Sequence, residues 1–192
     1  MKKVLILLTI IIFNLSTAQT NPVQDNYTKK EVYIPMRDGT KLFTIIYTPK
    51  DISKGKKYPF IMNRTCYSIA PYGENNFRKK LNPNKFIEKE KYIFVFQDVR
   101  GRYMSEGIFT NMTPQVDHKT KKDVDESTDT YDTVDWLVKN VQNNNGKVGQ
   151  YGTSYPGFYT AVGTLANHPA LVASSPQAPI SDFWFDDFHH NG

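Results

Sequence analysis

The sequence predicts an α/β domain whose central sheet is mostly parallel and opens with an antiparallel hairpin. Three observations point to this class. Two strand-like segments flank an Asp-Gly turn near the start of the chain. The later segment 92–99 (YIFVFQDV) is apolar almost throughout, as expected for a strand that is buried on both faces. Beyond it, helical and strand-like segments alternate, which is typical of parallel strands joined by crossover helices.

The first strands follow from local composition. Residues 31–36 (EVYIPM) alternate between apolar and polar, and residues 41–48 (KLFTIIYT) are rich in β-branched and aromatic side chains. Between them, Gly39 can supply the positive φ that a tight hairpin turn needs. Residues 58–65 (YPFIMNRT) predict a third strand, and the polar residues 19–29 predict a flexible start before the first one.

The second half of the chain predicts helices between strands. Residues 84–91 suit a short helix. A longer one is expected to begin with Ser127 or Thr128 as its cap and to run to about Asn140, because its apolar residues recur at helical spacing. The glycine-punctuated segment 100–128 has no clear period, and a loop of that length is usually functional or an insertion. The remaining predicted elements are a strand over 147–151, a helix over 156–167 and a strand over 171–175.

Composition excludes several classes of function. The 192-residue chain carries a formal net charge of +5, but its lysines are scattered among acids, so no basic stripe indicates nucleic-acid binding. Cys66 is the single cysteine. No internal disulfide can form, and a lone cysteine among apolar strand residues is more typical of packing than of a nucleophile. Neither metal-ligand spacing nor a phosphate-binding glycine loop is present, so no metal and no cofactor are expected.

Residues 1–18 have the pattern of a secretory signal peptide. Residues 1–3 (MKK) are positive, residues 4–13 are apolar apart from Thr9, and residues 16–18 (STA) are small, which predicts cleavage after Ala18. The apolar run is too short to span a membrane comfortably, although it leaves a retained interfacial anchor as the alternative. The expectation is a secreted or periplasmic protein without stable membrane insertion after cleavage.

Residues 147–158 (KVGQYGTSYPGF) place Ser154 between a predicted strand and a predicted helix. A nucleophile elbow has this order, with glycine two residues before the serine, as Gly152 is, to relieve backbone crowding. The downstream glycine comes at position 157, one residue later than in G-x-S-x-G. The Ser154 hydroxyl would attack a carbonyl carbon, and the backbone N–H of Tyr155 would stabilise the oxyanion. The local pattern alone leaves open an ordinary Gly/Pro-rich loop.

Six motifs occur along the chain in one order. They are Met36-Arg37-Asp38-Gly39, Asn63-Arg64-Thr65-Cys66-Tyr67, Gln97-Asp98-Val99-Arg100-Gly101, Asp132-Thr133-Val134-Asp135-Trp136-Leu137, Gly152-Thr153-Ser154-Tyr155-Pro156-Gly157-Phe158 and Asp186-Asp187-Phe188-His189-His190-Asn191-Gly192. In this order they resemble the CocE/NonD acyl-esterase family, which includes α-amino acid ester hydrolases, glutaryl-cephalosporin acylases and X-prolyl dipeptidyl-peptidases. The family's elbow reads Gly-x-Ser-Tyr-x-Gly, so the late glycine fits its pattern. The resemblance implies an α/β-hydrolase fold over residues 30–192.

The resemblance also implies roles for individual residues. Ser154 would be the nucleophile that forms an acyl-enzyme, while Tyr155 would give its backbone amide and Tyr67 its phenol to the oxyanion hole. Without the resemblance, Tyr67 would be interpreted as a packing residue. Asp187 matches an aspartate that, in α-amino acid ester hydrolases, joins a carboxylate cluster holding the substrate's α-ammonium group. The alternative is that Asp186 and Asp187 are surface acids, and Asp98 and Arg100 are interpreted as a structural pair.

The family's triad acid and histidine follow the serine at some distance, in the order Ser, Asp, His. The histidines at positions 168, 189 and 190 come too early for that base. The resemblance therefore implies the N-terminal part of a longer enzyme, with the triad partners, the helical cap and the C-terminal jelly-roll domain missing from these residues. Such a chain alone is expected to be inactive, with a loss on the order of 10⁴ to 10⁶.

The implied function is an exported serine hydrolase that cleaves esters or amides of acyl or α-amino-acyl groups. Its partner would be a small ester, an amide or a peptide. An X-Pro dipeptidyl-peptidase is the alternative within the family. From another class, a non-catalytic secreted α/β binding module and an inactive fragment stay open. The sequence does not indicate the oligomeric state.

Overall fold

A computed structural model of the chain describes residues 21–51, 55–117, 120, 122–180, 182, 184 and 189. The predicted signal peptide over residues 1–18, the carboxylates Asp186 and Asp187, and His190 lie outside this described part. Within it, no helix is both long enough and apolar enough to span a lipid bilayer.

Three consecutive strands follow a short first helix, and helices and strands alternate after them. In order they are α1 (Pro22–Asn26), β1 (Tyr27–Pro35), β2 (Lys41–Pro49), β3 (Tyr58–Thr65), α2 (Lys85–Glu90), β4 (Ile93–Asp98), α3 (Glu126–Asn140), β5 (Asn144–Thr153), α4 (Tyr155–Thr164) and β6 (Leu171–Gln177). The strands form one sheet in the order β1-β2-β4-β3-β5-β6. β2 pairs antiparallel with both β1 and β4, and the other neighbouring pairs are parallel. The predicted α/β class, with an antiparallel hairpin leading into a parallel sheet, is confirmed.

The opening hairpin closes at the predicted Asp-Gly turn. Gly39 has a φ of 87°, and the Met36 N–H donates to the Thr40 carbonyl at 2.8 Å. The Asp38 carboxylate accepts from the Thr40 N–H at 3.1 Å, which fixes the turn from its side chain. Because a glycine adopts positive φ without steric cost, the two strands stay in register from Tyr27 opposite Pro49 to the turn.

The expected flexible start over residues 19–29 requires a correction, because residues 22–29 form α1 and the beginning of β1. The Asn21 side chain caps α1 by accepting from the Val23 N–H at 3.0 Å. Val23 is buried, and the Lys29 ammonium donates to three backbone carbonyls of the segment 71–76. These partners are distant in sequence, so the polar composition of the segment gave no sign of them.

Helix α3 begins earlier than predicted, because its cap is Asp125 and not Ser127 or Thr128. The Asp125 carboxylate accepts from the Ser127 and Thr128 N–H groups, and the Thr128 hydroxyl accepts from the Asp125 N–H at 2.9 Å. This reciprocal arrangement is a capping box. From here the helix presents Val134 and Leu137, both fully buried, to one face of the sheet.

The apolar core lies on both faces of the sheet. On one face, α3 packs against side chains from most of the strands, among them Ile46, Phe60, Met62, Val95 and Val148. On the other face, the segment between β3 and β4 covers Phe43, Tyr47, Phe94 and Phe96 through Ile69 and Leu81. β3, β4 and β5 are thereby held rigidly, and the loops at their carboxyl ends share one edge of the sheet.

Candidate active site

Ser154 occupies a strained turn between β5 and α4. Its backbone has a φ of 61° and a ψ of −123°, a region that non-glycine residues adopt at a cost of about 1–3 kcal/mol. Two hydrogen bonds hold it there. The Ser154 N–H donates to the Gln177 carbonyl of β6 at 2.9 Å, and the Phe158 N–H donates to the Ser154 carbonyl at 3.0 Å. The predicted order of strand, serine turn and helix is confirmed, whereas the nucleophilic role of Ser154 stays a prediction.

Both glycines around Ser154 are required by close approach of the backbone. A Cβ atom on Gly152 would lie 2.1 Å from the Pro156 carbonyl oxygen, and one on Gly157 would lie 2.6 Å from the Gln177 carbonyl oxygen. The late glycine at position 157 therefore lets the first turn of α4 press against the end of β6.

The Ser154 side chain is exposed at the edge of the sheet. Among the residues that the structure describes, no side chain or backbone group forms a hydrogen bond with its hydroxyl. The hydroxyl is therefore accessible to a substrate carbonyl, and a group that removes its proton would have to come from outside the described contacts.

The described histidines have other contacts. His168 is buried, its Nδ1 accepts from the Ala170 N–H at 3.1 Å, and its Nε2 lies 3.6 Å from the Asp135 carboxylate on α3. Its ring also packs against Tyr131. The ring of His189 stacks on Trp184. These contacts support a packing role for His168, as its position in the sequence suggested.

Two tyrosines meet beside the serine turn. Tyr155 is the first residue of α4, so its N–H has no carbonyl one turn earlier within the helix and is available to a ligand. Tyr67 follows β3, which pairs in parallel with β5, so the two strands end at the same edge. The two rings contact edge to face, with centroids 6.1 Å apart and planes at 83°. Tyr67 is 61% exposed. The structure thus brings Ser154, Tyr155 and Tyr67 into one region; Asp187 lies outside the described residues.

Cys66, directly before Tyr67, is buried against Val99 and Tyr159. Burial raises the pKa of its thiol. A buried thiol with a raised pKa is a poor nucleophile at neutral pH, which agrees with the packing interpretation.

The loop after β4 binds Tyr155 and the residue before Tyr67 through side chains and an N–H group that the sequence did not single out. The Tyr155 phenol donates to the Asn111 side-chain oxygen at 2.5 Å and accepts from the Met112 N–H at 2.9 Å. The Arg102 guanidinium donates to the Cys66 carbonyl at 3.0 Å. The only signal in the sequence was the unusual length of the aperiodic segment 100–128, which is typical of a functional loop.

A buried ion network lies beneath the active-site edge, between the sheet and α3. Arg64 of β3 is fully buried, and its guanidinium donates to Gln97 of β4 at 2.8 Å and to the Glu126 carbonyl of α3 at 2.9 Å. The Glu126 carboxylate lies 3.2 Å from Arg64, close enough for an ion pair although the angle does not make a hydrogen bond. Burial raises the pKa of Glu126, and the charge of Arg64 opposes that shift.

The predicted structural pair of Asp98 and Arg100 is wrong as a pair, because the two side chains have separate partners. Asp98 accepts from the Ile69 N–H at 3.0 Å and from the Tyr72 phenol at 2.9 Å. Arg100 instead pairs with Asp129 of α3 and with Asp38 of the hairpin turn, each at 2.7 Å. Both do fix loops, but on opposite faces of the sheet.

The concavity next to this network is distinct from the serine turn. It has a volume of about 430 Å³, and neither Ser154 nor the two tyrosines line it. Its lining includes the charged residues Asp38, Arg100, Asp125, Glu126 and Asp129 together with apolar residues such as Ile108 and Val124. The candidate site at the serine turn therefore lies outside this concavity, at the exposed edge of the sheet.

The sheet order and the serine turn define an α/β-hydrolase fold. The family model for X-Pro dipeptidyl-peptidase (S15 family) matches residues 38–192, and the chain belongs to this family. Among curated proteins, the chain is similar to the cocaine esterase of Rhodococcus sp. (strain MB1 Bresler), at 28% identity over 165 residues that cover 84% of this chain and 25% of the esterase.

Solved structures give closer similarities. An α-amino acid ester hydrolase shares 39% identity with a TM-score of 0.73, over 92% of this chain and 29% of that one. An aminopeptidase from a marine sediment Thaumarchaeota archaeon shares 38% identity with a TM-score of 0.74, over 88% and 28% of the two chains. A CocE/NonD family hydrolase from Staphylococcus aureus, at 21% identity and a TM-score of 0.60, shares the fold. The chain spans about a quarter of the length of the curated relatives it matches. The resemblance to the CocE/NonD family is confirmed.

Proposed function

We propose that the protein is an exported serine hydrolase that cleaves ester or amide bonds of α-amino-acyl substrates through an acyl-enzyme on Ser154. One observation carries the proposal: an exposed serine hydroxyl on a strained, doubly hydrogen-bonded turn, directly before a helix N-terminus at the carboxyl edge of a parallel sheet. This combination presents an oxygen nucleophile beside backbone N–H groups, which acyl transfer requires.

The proposed reaction has two halves. In the first, the Ser154 hydroxyl attacks the carbonyl carbon, a base accepts the hydroxyl proton, and the leaving alcohol or amine departs with a proton. In the second, water attacks the acyl-enzyme and releases the acid. The Tyr155 N–H and the Tyr67 phenol would donate to the oxygen that becomes negative in each half. We assign the histidine and acid of the triad to residues outside the described part, because no described side chain forms a hydrogen bond with the Ser154 hydroxyl.

The substrate class rests on two similar structures that are 39% and 38% identical to this chain over the aligned residues, an α-amino acid ester hydrolase and an aminopeptidase. Both names denote substrates whose acyl part carries a free α-amino group. We propose the same group for this protein's substrates, with Asp187 as part of a negative site for the α-ammonium. A carboxylate within a few ångströms of an ammonium is favourable, more so where water is partly excluded.

Peptide-bond cleavage is the second candidate function. The family's description as X-Pro dipeptidyl-peptidases and the 38% identity to an aminopeptidase favour it. Ester and peptide cleavage share the acyl-enzyme on Ser154, so they differ only in the leaving group. Comparing alanine 4-nitrophenyl ester with alanine 4-nitroanilide and an alanyl-proline 4-nitroanilide on one enzyme preparation would separate the two.

The test uses the protein made from its complete reading frame. We expect Ser154→Ala to lower kcat/KM for an amino-acid ester by about 10⁴-fold or more, because no other group can form the acyl-enzyme. The control is Thr153→Ala, which removes a hydroxyl from the adjacent exposed position and should leave kcat/KM near that of the wild type. Hydrolysis by Ser154→Ala at the wild-type rate would refute the proposal. Loss of activity on the N-acetylated ester would support the α-amino requirement.

Export is proposed on the sequence of residues 1–18 alone, with their positive start, apolar run and small residues before position 19. The mature protein, recovered from the periplasm or the medium, is expected to begin at Gln19. Recovery of the intact chain from the cytoplasm would contradict this.

A further inference from the structure

One loop contacts Tyr155 and the peptide group that joins Cys66 to Tyr67, next to the two proposed donors of the oxyanion hole. Residues 99–112, here named the bracing loop, follow β4 and run across the edge of the sheet. At one end, Arg102 donates to the carbonyl of Cys66, the residue directly before Tyr67. At the other end, Asn111 and Met112 bind the phenol of Tyr155. One segment therefore binds the Tyr155 side chain directly and the Tyr67 backbone through the preceding carbonyl.

The phenol of Tyr155 both donates and accepts a hydrogen bond in its contact with the bracing loop. The Tyr155 O–H donates to the Asn111 side-chain oxygen at 2.5 Å, and the Met112 N–H donates to the same phenol oxygen at 2.9 Å. The ring also packs against Tyr159, with centroids 5.0 Å apart. The far end of the side chain is fixed, so the backbone of Tyr155 cannot turn without breaking these contacts.

This fixation matters because the adjacent Ser154 is strained. A φ of 61° at a non-glycine residue persists only where the surroundings over-determine it. The direction of the Tyr155 N–H depends on that turn, and a hydrogen bond to an oxyanion weakens steeply as its angle departs from linear. Contacts that keep the Ser154 turn in its strained conformation therefore also keep the Tyr155 N–H directed at the oxyanion.

Next to Tyr67, the contacts are made with the backbone and not with the tyrosine side chain. Arg102 is itself fixed, because its guanidinium lies over the rings of Phe109 and Tyr103, at 5.0 and 5.1 Å from their centroids. From there it holds the Cys66 carbonyl, while the Tyr67 N–H donates to the Thr65 hydroxyl at 3.0 Å. The Tyr67 side chain is largely exposed. These backbone contacts therefore fix the position from which the side chain extends toward the site.

The bracing loop can fix the positions of Tyr155 and of the Cys66 carbonyl because hydrogen bonds join the loop to the sheet. The Ser105 hydroxyl donates to the Asp98 carbonyl at 2.6 Å and accepts from the Phe43 N–H at 2.8 Å. The Glu106 N–H and carboxylate bind the backbone of Lys41. At Gly101 the loop folds back so closely that a Cβ atom would lie 2.1 Å from the Phe109 nitrogen. The anchors are on β2 and β4, two paired strands in the interior of the sheet.

We propose that Asn111 and Arg102 are positioning residues of the oxyanion hole, Asn111 acting through the Tyr155 phenol and Arg102 through the Cys66 carbonyl. The inference rests on the proposed function of Ser154 and adds to it that the bracing loop controls transition-state stabilisation. Such residues affect the chemical step more than ground-state binding, because the oxyanion exists only along the reaction.

The test compares Asn111→Leu with Asn111→Asp in the enzyme from the complete reading frame. Leucine has a similar volume but no acceptor, and we expect kcat to fall about 10- to 100-fold with little change in KM. Aspartate keeps an acceptor oxygen for the Tyr155 phenol and should restore most of kcat. Asn140→Leu, which changes an exposed asparagine on α3, is the matched control and should have wild-type kinetics.

A double-mutant cycle distinguishes positioning from general destabilisation. Tyr155→Phe removes the phenol oxygen and should lower kcat as much as Asn111→Leu, and the double variant should be no worse than Tyr155→Phe alone. Equal kcat for Asn111→Leu and the wild type would overturn the inference while Ser154-dependent hydrolysis stands. So would additive losses, or a loss that Asn111→Asp fails to restore and that accompanies a lower melting temperature. Absence of Ser154-dependent hydrolysis in the wild type would instead remove the proposed function and this inference with it.

Discussion

Arg64 and Ser154 lie at the ends of neighbouring strands, yet the protein surrounds their polar groups in opposite ways. Arg64 is fully buried at the end of β3, with hydrogen bonds to Gln97, Glu126 and Thr130 and an ion pair to the Glu126 carboxylate. Ser154 follows β5 with an exposed hydroxyl that has no hydrogen-bond partner in the described chain. Its backbone, by contrast, is strained and tightly held.

The sequence motifs thus contain polar residues with two different roles. Those around Arg64 join elements of the core, whereas Ser154 presents a hydroxyl group to solvent. In the Arg64 network every charge meets a partner, and the contacts join β3, β4 and α3 across the core. Such a network can specify how the layers assemble, although a buried ion pair is weak evidence for added stability. At the serine turn, strain is retained and the side chain is left free, which is typical of a reactive position. The Arg64 network supports the serine turn, because it fixes the end of the neighbouring strand β3.

The largest stability effect is expected from Arg64→Met. It leaves the buried Glu126 carboxylate without its cation, whereas Asp129 keeps its pair with Arg100. Breaking a buried pair costs about 3–5 kcal/mol in the free energy of unfolding. Denaturant or thermal unfolding of the purified protein measures this. The control is Arg37→Met, which removes a partly exposed pair with Asp132 and should cost about 1 kcal/mol or less. If Arg64→Met keeps its stability but loses activity, the assignment of Arg64 to structure is wrong.

A kinetic effect without a stability effect is expected from Tyr67→Phe. Loss of one oxyanion donor lowers kcat by about 10²- to 10³-fold. The melting temperature should not change, because Tyr67 is largely exposed and the ring contact with Tyr155 remains. Tyr33→Phe, at an exposed tyrosine on β1, is the matched control. A loss below threefold in kcat for Tyr67→Phe would mean that the phenol does not donate in the transition state.

Much of the fold could be predicted because its elements have local signatures. The strand over residues 58–65 was predicted with the bounds that the structure shows, and the apolar run 92–99 contains β4. The start of the chain could not be predicted in this way. Residues 22–29 are ordered by buried contacts and by carbonyl groups about 42 to 47 residues away, which no local pattern reveals. The same holds for Asn111, whose partner Tyr155 lies 44 residues further on.

At the candidate site, too, features set by adjacent residues could be predicted and features set by distant residues could not. The serine turn was recognisable because strand, Gly-x-Ser and helix are adjacent in sequence. The need for glycine at position 157 arises from the Gln177 carbonyl, 20 residues later. Asp98 and Arg100 were mistaken for a pair because they are close in sequence. The chain turns after Val99, where the Arg102 N–H donates to the Val99 carbonyl, and this directs the two side chains to opposite faces.

Covalent capture of Ser154 tests the central claim most directly. The enzyme from the complete reading frame is treated with a fluorophosphonate, digested and mapped by mass spectrometry. We predict one phosphonyl adduct, on the peptide that contains Ser154, with no adduct in Ser154→Ala or in heat-denatured enzyme and full labelling in Thr153→Ala. Equal labelling of Ser154→Ala and wild type, or an adduct confined to a different serine, would contradict the account.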